Sequence, residues 1–343
     1  MANFSLDDLL NLQPSQVSRD LTGYITYIYG APKVGKTTFA RDMGALILEC
    51  EAGTNALSGA YGMKMQNWSD IRTIMRLCKD AKMKERYKAI ALDTVDVAAA
   101  LCEKYICAMN DVDALGKVPY GGGWTAFKKE FEEVFRTITM QGYAVLFISH
   151  DKDKTITRVD GTTYNKIVPT VSESINNIVK NMADIITYCY QDPIDQERYM
   201  ILRSLDGTIE AGSRFQYMES KIPLGYTSLV EALNRAIDLE EKNNGTQAVT
   251  SKKISYQPAV ELDFDQLMTK FNNIVANIPG SSDGTAETKE GKEFKDFWQP
   301  KIVQLIEKYL GKGKKISQCN RDQTEQLSLI IDELEELTNI KTM

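Results

Sequence analysis

The segment Gly30-Ala31-Pro32-Lys33-Val34-Gly35-Lys36-Thr37 has the spacing G-x-x-x-x-G-K-[ST], which suits the binding of a nucleoside triphosphate. Its glycines let the backbone curl so that successive N–H groups, running on to Thr38, face phosphate oxygens. Lys36 supplies a cation to the β- and γ-phosphates, and Thr37 offers a hydroxyl to Mg²⁺. ATP and Mg²⁺ are the expected ligands. Such a loop must join a strand to a helix. Tyr24 to Tyr29 is rich in β-branched and aromatic residues, and Thr38 to Met43 reads as a helix.

The metal needs a second anchor, usually an Asp closing a buried strand. Asp93 fits, at the end of Lys88-Ala89-Ile90-Ala91-Leu92-Asp93-Thr94. Many helicases and AAA+ enzymes carry a Glu next, as the base that orients the attacking water. This chain has Thr94, so the base comes from elsewhere or hydrolysis is slow. Leu46-Ile47-Leu48-Glu49-Cys50-Glu51-Ala52 supplies a candidate in Glu51, on a neighbouring strand facing the γ-phosphate. Glu49 competes with it. Strand alternation sends both carboxylates to one side, so only position along the strand separates them.

With 343 residues, two domains are expected. The net charge of -6 gives no global basic footprint, so any nucleic-acid contact must come from local basic loops. The six cysteines include no C-x-x-C pair and read as reduced thiols of a cytoplasmic protein. The N-terminus lacks the basic and apolar regions of a signal peptide, and no apolar run is long enough to span a bilayer, so no membrane partner is expected. The single histidine, His150, excludes catalytic triads elsewhere and zinc sites that need two histidines.

Residues 22–240 alternate strand-like and helix-like segments, which predicts an α/β core with a mainly parallel twisted sheet. Strands are expected at 24–29, 45–50, 87–93, 143–149, 184–190 and 198–203, with helices at 68–82, 95–109, 125–140 and 172–182. Residues 1–21 read as an N-terminal arm and 241–260 as a polar linker. Residues 261–343 are helical in pattern, a small C-terminal α-helical domain. One apolar stripe there runs from Phe264 to Ile278. A second contains Phe294, Phe297, Ile302, Val303, Ile306 and Leu310, and a third runs from Leu327 to Leu337.

The order of these strand ends resembles that of RecA-like ATPases: phosphate loop, a strand ending acidic-x-Glu, a strand ending Asp-Ser/Thr, then one ending in a polar γ-phosphate sensor. Ala144 to Lys152 resembles the last of these, with His150 at the position of the RecA sensor glutamine. The G-x-P-x-x-G-K-T loop, the Glu51-Ala52-Gly53 turn and Tyr120-Gly121-Gly122-Gly123-Trp124 look like those of the shorter phage recombination and single-strand-annealing ATPases, the Sak group related to Rad-type recombinases. That resemblance implies a RecA-like P-loop core over about residues 20–240 and a homo-oligomer or filament with ATP at subunit interfaces. It also implies a trans-acting arginine. Ala211-Gly212-Ser213-Arg214-Phe215 partly matches the K-N-R-F-G motif of bacterial RadA, keeping Arg-Phe and losing the Lys, the Asn and the final Gly. Arg214 is therefore the candidate, with Arg203 the alternate.

RecA cores hold single-stranded DNA with two loops. The first would be Asn110 to Trp124, with Lys117, Tyr120, Trp124 and the following Lys128 and Lys129. The second would follow His150, with Lys152, Lys154, Arg158, Tyr164 and Lys166. The leading expectation is a DNA-stimulated ATPase that assembles on single-stranded DNA and promotes annealing or strand exchange. Its C-terminal helices would dock a partner such as a single-stranded-DNA-binding protein. A helicase loader or other phage DNA-replication ATPase, and a P-loop small-molecule kinase, are the alternatives.

Overall fold

The computed structural model describes residues 10–11, 17–51, 53–245, 248–249, 262–282 and 287–342. Most of the expected arm and linker, the C-terminal loop residues 283–286, and Ala52 of the Glu-Ala-Gly turn lie outside the described residues. The chain forms two compact units, Gln13–Pro258 and one built on Ala259–Met343.

The larger unit is an α/β core with a mainly parallel sheet. Its elements are β1 (Thr26–Gly30), α1 (Lys36–Asp42), β2 (Leu46–Glu49), β3 (Tyr61–Lys64), α2 (Trp68–Leu77), α3 (Ala81–Arg86), β4 (Ala89–Asp93), α4 (Val95–Met109), α5 (Gly122–Met140) and β5 (Ala144–Ser149). After these come β6 (Asp151–Thr157), β7 (Thr163–Pro169), α6 (Glu173–Met182), β8 (Ile185–Gln191), β9 (Arg198–Ile201), β10 (Gly212–Ser213), β11 (Lys221–Pro223) and α7 (Tyr226–Asn244). The main sheet has the order β11-β9-β8-β1-β5-β4-β2-β3, with β10 pairing beside β8. From β8 to β3 the pairing is parallel, while β9, β10 and β11 are antiparallel additions.

Every residue of β1, β2, β4 and β5 is buried, as expected for parallel strands covered on both faces. One face packs Trp68, Ile71, Phe131, Phe135 and Ile175 from α2, α5 and α6; the other packs Phe39, Leu229, Leu233 and Ala236 from α1 and α7. The register pairs Tyr29 with Ser149, Asp93 with Ile148, Glu49 with Asp93 and Gly30 with Cys189. Strand ends far apart in sequence therefore share one edge of the sheet.

Three local readings change. The helix expected over 68–82 is two helices, because the Asp80 side chain accepts from Lys82 N–H and caps α3. Helix α7 runs four residues past the expected core boundary at 240, to Asn244, and ends at Gly245 in the left-handed region (φ 68°). The stretch after His150 is a β-hairpin, β6 against β7, not a loop. Its alternating Lys-Asp-Lys-Thr carries no apolar face, so hydrophobic periodicity could not announce it.

In the smaller unit, α8 (Phe264–Ala276), α9 (Lys289–Glu293), α10 (Gln299–Leu310) and α11 (Thr324–Thr342) enclose Leu267, Phe271, Trp298, Ile302, Leu305, Ile306, Leu327, Ile330 and Leu334. Phe297 and Val303, expected in the second stripe, are exposed, and Trp298 and Leu305 are buried in their place. A π-helical turn over Phe294–Trp298 changes the residues per turn and so shifts the phase of the buried face.

Candidate functional site

The residues Ala31 to Gly35 form a turn between β1 and α1 that conformational chemistry makes possible. Gly30 has φ 153° and a Cβ there would lie 2.0 Å from the Cys189 carbonyl oxygen, so the chain leaves β1 only because residue 30 has no side chain. Gly35 has φ 122°. Lys36 is buried, and its Nζ donates to the carbonyls of Gly30 (2.6 Å) and Ala31 (2.9 Å), which ties the ammonium inside the loop. Burial lowers the Lys36 pKa, and the nearby carboxylates, Asp93 among them, pull it back up.

Thr37 Oγ1 donates to Asp93 Oδ2 at 2.7 Å. Burial raises the Asp93 pKa, opposed by that hydrogen bond and by the Lys36 charge. The Asp93–Thr94 peptide is cis. These two oxygens fit Mg²⁺, a hard cation that keeps several waters and shares its shell with substrate phosphates, so it does not require an all-protein cage. Among the described residues there is no group of three or more His, Cys, Asp or Glu residues placed to hold a metal ion. A Cβ at Gly53 would sit 3.1 Å from Asp93 Oδ2 and 3.5 Å from Thr37 Oγ1, so the glycine keeps a side chain from crowding these two oxygens.

The two competing glutamates differ sharply. Glu49 is buried, bonded through Oε1 to Thr54 Oγ1, and covered by Gly62, where a Cβ would come 1.8 Å from Glu49 Oε1. Glu51 lies beyond the strand and is exposed. Its Oε1 accepts from Thr94 Oγ1 at 2.8 Å and its Oε2 stands 3.4 Å from His150 Nε2. The fold thus brings Lys36, Thr37, Asp93, Thr94, Glu51 and His150 to one edge of the sheet. His150 also roots the hairpin: its carbonyl accepts from Thr170 N–H at 3.0 Å, and β6 begins at the next residue.

Arg214 is not brought to this edge. It follows β10, whose Gly212 and Ser213 pair with Ile186 and Ile185 at the start of β8, level with Tyr27 and Thr26 of β1. That is the opposite end of β1 from Gly30, roughly 10–13 Å along the strand. There Arg214 pairs with Asp184 (3.3 Å) and donates to the Asn181 carbonyl (3.1 Å). Arg203 donates to the Gln216 carbonyl.

Among the expected DNA contacts, Lys152, Lys154 and Lys166 border a groove of about 480 Å³ between the hairpin and α6. Acidic residues share it. Lys154 pairs with Glu173 (3.2 Å), and Lys166 and Lys180 both approach Glu210 (3.6 and 3.4 Å). Lys152 donates to the Thr170 carbonyl, and Arg158 lies over the Tyr164 ring. In the first segment Lys117 pairs with Asp113, Tyr120 is fully exposed, and Trp124 and Lys128 stand exposed on the first turns of α5.

A family profile described as an AAA domain matches residues 22–215, the stretch that carries all of the site just described. The chain belongs to the AAA-domain family. It is a P-loop NTPase. This AAA-domain protein is also 31% identical over 341 residues to the SPbeta prophage-derived uncharacterized protein YorG of Bacillus subtilis (strain 168), across 96% of this chain and 98% of that one. Solved structures similar to it include a KaiC-like protein of the hyperthermophilic archaeon Pyrococcus horikoshii OT3 (TM-score 0.32, 13% identity, 60% of this chain and 88% of that one). The RadB recombinase is another (TM-score 0.35, 14% identity, 65% of this chain and 94% of that one). No helix among the described residues is long and apolar enough to cross a membrane.

Sequence reasoning missed Arg198. It lies on β9 with Nη1 3.7 Å from where a Cβ on Gly35 would be, and no motif marks it. Only the β8–β9 register brings it there.

Proposed function

We propose that this protein is a phage-encoded, ATP-hydrolysing recombination ATPase that assembles on single-stranded DNA and promotes annealing or strand exchange, with ATP held between subunits. The observation that carries this reading is His150, one residue long between two functions: its ring stands 3.4 Å from Glu51 and the lysine-bearing hairpin starts at Asp151. A prophage-derived relative supports the phage origin.

Lys36 would leave its two loop carbonyls for the β- and γ-phosphates. Mg²⁺, when bound beside Thr37 and Asp93, would neutralise charge on the phosphate oxygens. Glu51 orients the attacking water, with Thr94 fixing the carboxylate. His150 registers the γ-phosphate, and its movement shifts the hairpin and so the grip of Lys152, Lys154, Arg158 and Lys166 on the DNA backbone, with Tyr120 and Trp124 offered to bases. Arg214 serves the neighbouring subunit's nucleotide, and the C-terminal helices dock a single-stranded-DNA-binding protein.

ATP turnover measured with and without single-stranded DNA tests the reading. Native protein should be stimulated by DNA and Lys36→Ala should be inactive in both conditions. A native ATPase indifferent to single-stranded DNA, with no binding of DNA in the presence of ATP, would overturn it.

A further inference from the structure

We propose that Arg198 and Leu224 form the seat for the nucleoside end of the bound nucleotide, the Arg198 guanidinium lying flat against the base with Leu224 as its apolar support. The inference rests on Gly30–Thr38 being the triphosphate site.

The register decides which way Arg198 faces. On antiparallel β8 and β9, Arg198 pairs with Gln191 and Met200 with Cys189. Directly opposed residues share a face, and that face repeats every second residue. Met200 and Cys189 are buried in the core beneath α1 and α7, so Arg198 projects from that face just beyond the core. There its Nη1 is 3.7 Å, and Leu224 Cδ2 3.2 Å, from the position of a Cβ on Gly35. The two residues are tied together, since Leu224 N–H donates to the Arg198 carbonyl at 2.8 Å. The guanidinium is exposed and has no ion pair or hydrogen bond among the described residues.

Strand order then fixes which part of the nucleotide comes to Arg198. Asp93, Glu51 and His150 follow β4, β2 and β5, all on one flank of β1, whereas Arg198 on β9 and Leu224 after β11 lie on the other. The γ-phosphate must face the acidic flank where hydrolysis is arranged. The nucleoside therefore leaves the loop on the Arg198 side. A planar cation beside an aliphatic side chain suits an aromatic base, through stacking and cation–π attraction together.

Inorganic tripolyphosphate, which has no nucleoside, separates this role from general support of the phosphate loop. Binding of Mg·ATP and of Mg·tripolyphosphate to the full chain is measured by calorimetry for native protein, Arg198→Ala and Arg198→Lys. The expected result is that ATP binding weakens about tenfold in both variants while tripolyphosphate binding changes less than about twofold. Loss of the planar group then matters more than loss of charge. ATP affinity unchanged in Arg198→Ala, or equal weakening for both ligands, would overturn the proposal. A native protein that binds neither ligand would instead overturn the triphosphate site on which it rests. Arg198 is exposed, so the melting temperature without ligand should be the same in native and variant proteins, and the ATP-induced rise should shrink in the variants.

Discussion

Thr94 Oγ1 donates a 2.8 Å hydrogen bond to Glu51 Oε1, linking the residue after Asp93 to the carboxylate one strand over. On the proposed reading, the acid missing from position 94 is Glu51, just beyond β2, held by the hydroxyl at 94. Glu51→Gln should lower kcat by about a hundredfold or more while ATP binding persists, and Thr94→Ala should lower kcat by about tenfold. Single-turnover and binding measurements check both; normal turnover in Glu51→Gln removes Glu51 from the chemistry.

Gly62 covers the buried Glu49 carboxylate so closely that no Cβ fits, with contacts of 1.8 Å to Glu49 Oε1 and 2.7 Å to Thr54 Oγ1. Gly62→Ala should therefore cost about 1–3 kcal/mol and lower the melting temperature. Adding Glu49→Ala should recover part of that loss, because the clash partner is gone. A Gly62→Ala protein as stable as the native one would show that the β2–β3 edge yields easily.

Asp184 gives a pH signature of stability. Burial raises its pKa above the ordinary carboxylate value, opposed by the hydrogen bond from Ile25 N–H and by Arg214. The folded chain thus keeps this proton to higher pH than the unfolded chain, so the contribution of Asp184 to stability falls as pH rises from the ordinary value through the raised one. Asp184→Asn cannot titrate. Its melting temperature minus that of the native protein should grow with pH across that window and then level off; a difference that shrinks with rising pH contradicts the assignment.

A composite site predicts complementation. Lys36→Ala removes the phosphate cation and Arg214→Ala removes the trans group, so each variant alone should lose at least about a hundredfold in ATP turnover. Mixed subunits pair one intact loop with one intact Arg214 and should regain measurable activity. If the mixture stays as inactive as the separate variants, Arg214 does not act between subunits.

The phosphate loop was legible in the sequence because its conformation is local: Gly30 and Gly35 permit the turn, and β1 and α1 carry their own periodicity. The α/β class was legible for a similar reason, since alternating apolar runs imply parallel strands covered on both faces. Asp93 could be singled out because an acid closing an apolar run is conspicuous. The hairpin after His150 escaped notice because its first strand, Asp151–Thr157, alternates charged and polar residues with Ile156 its one apolar member. The phase of the second C-terminal stripe was misread because a π-helical turn breaks the 3.6-residue period.

By itself, then, the sequence determined the loop, the strand that carries Asp93 and the layered class, all set by residue type and short-range spacing. Only tertiary structure gave Glu49 and Glu51 different surroundings, because alternation puts both on one face and the difference is burial beneath Gly62 against contact with Thr94 and His150. Tertiary structure also separated Arg214 from Arg198, sending one to the far end of β1 and the other to the phosphate loop. Register between strands distant in the chain sets those positions, and no local pattern encodes it.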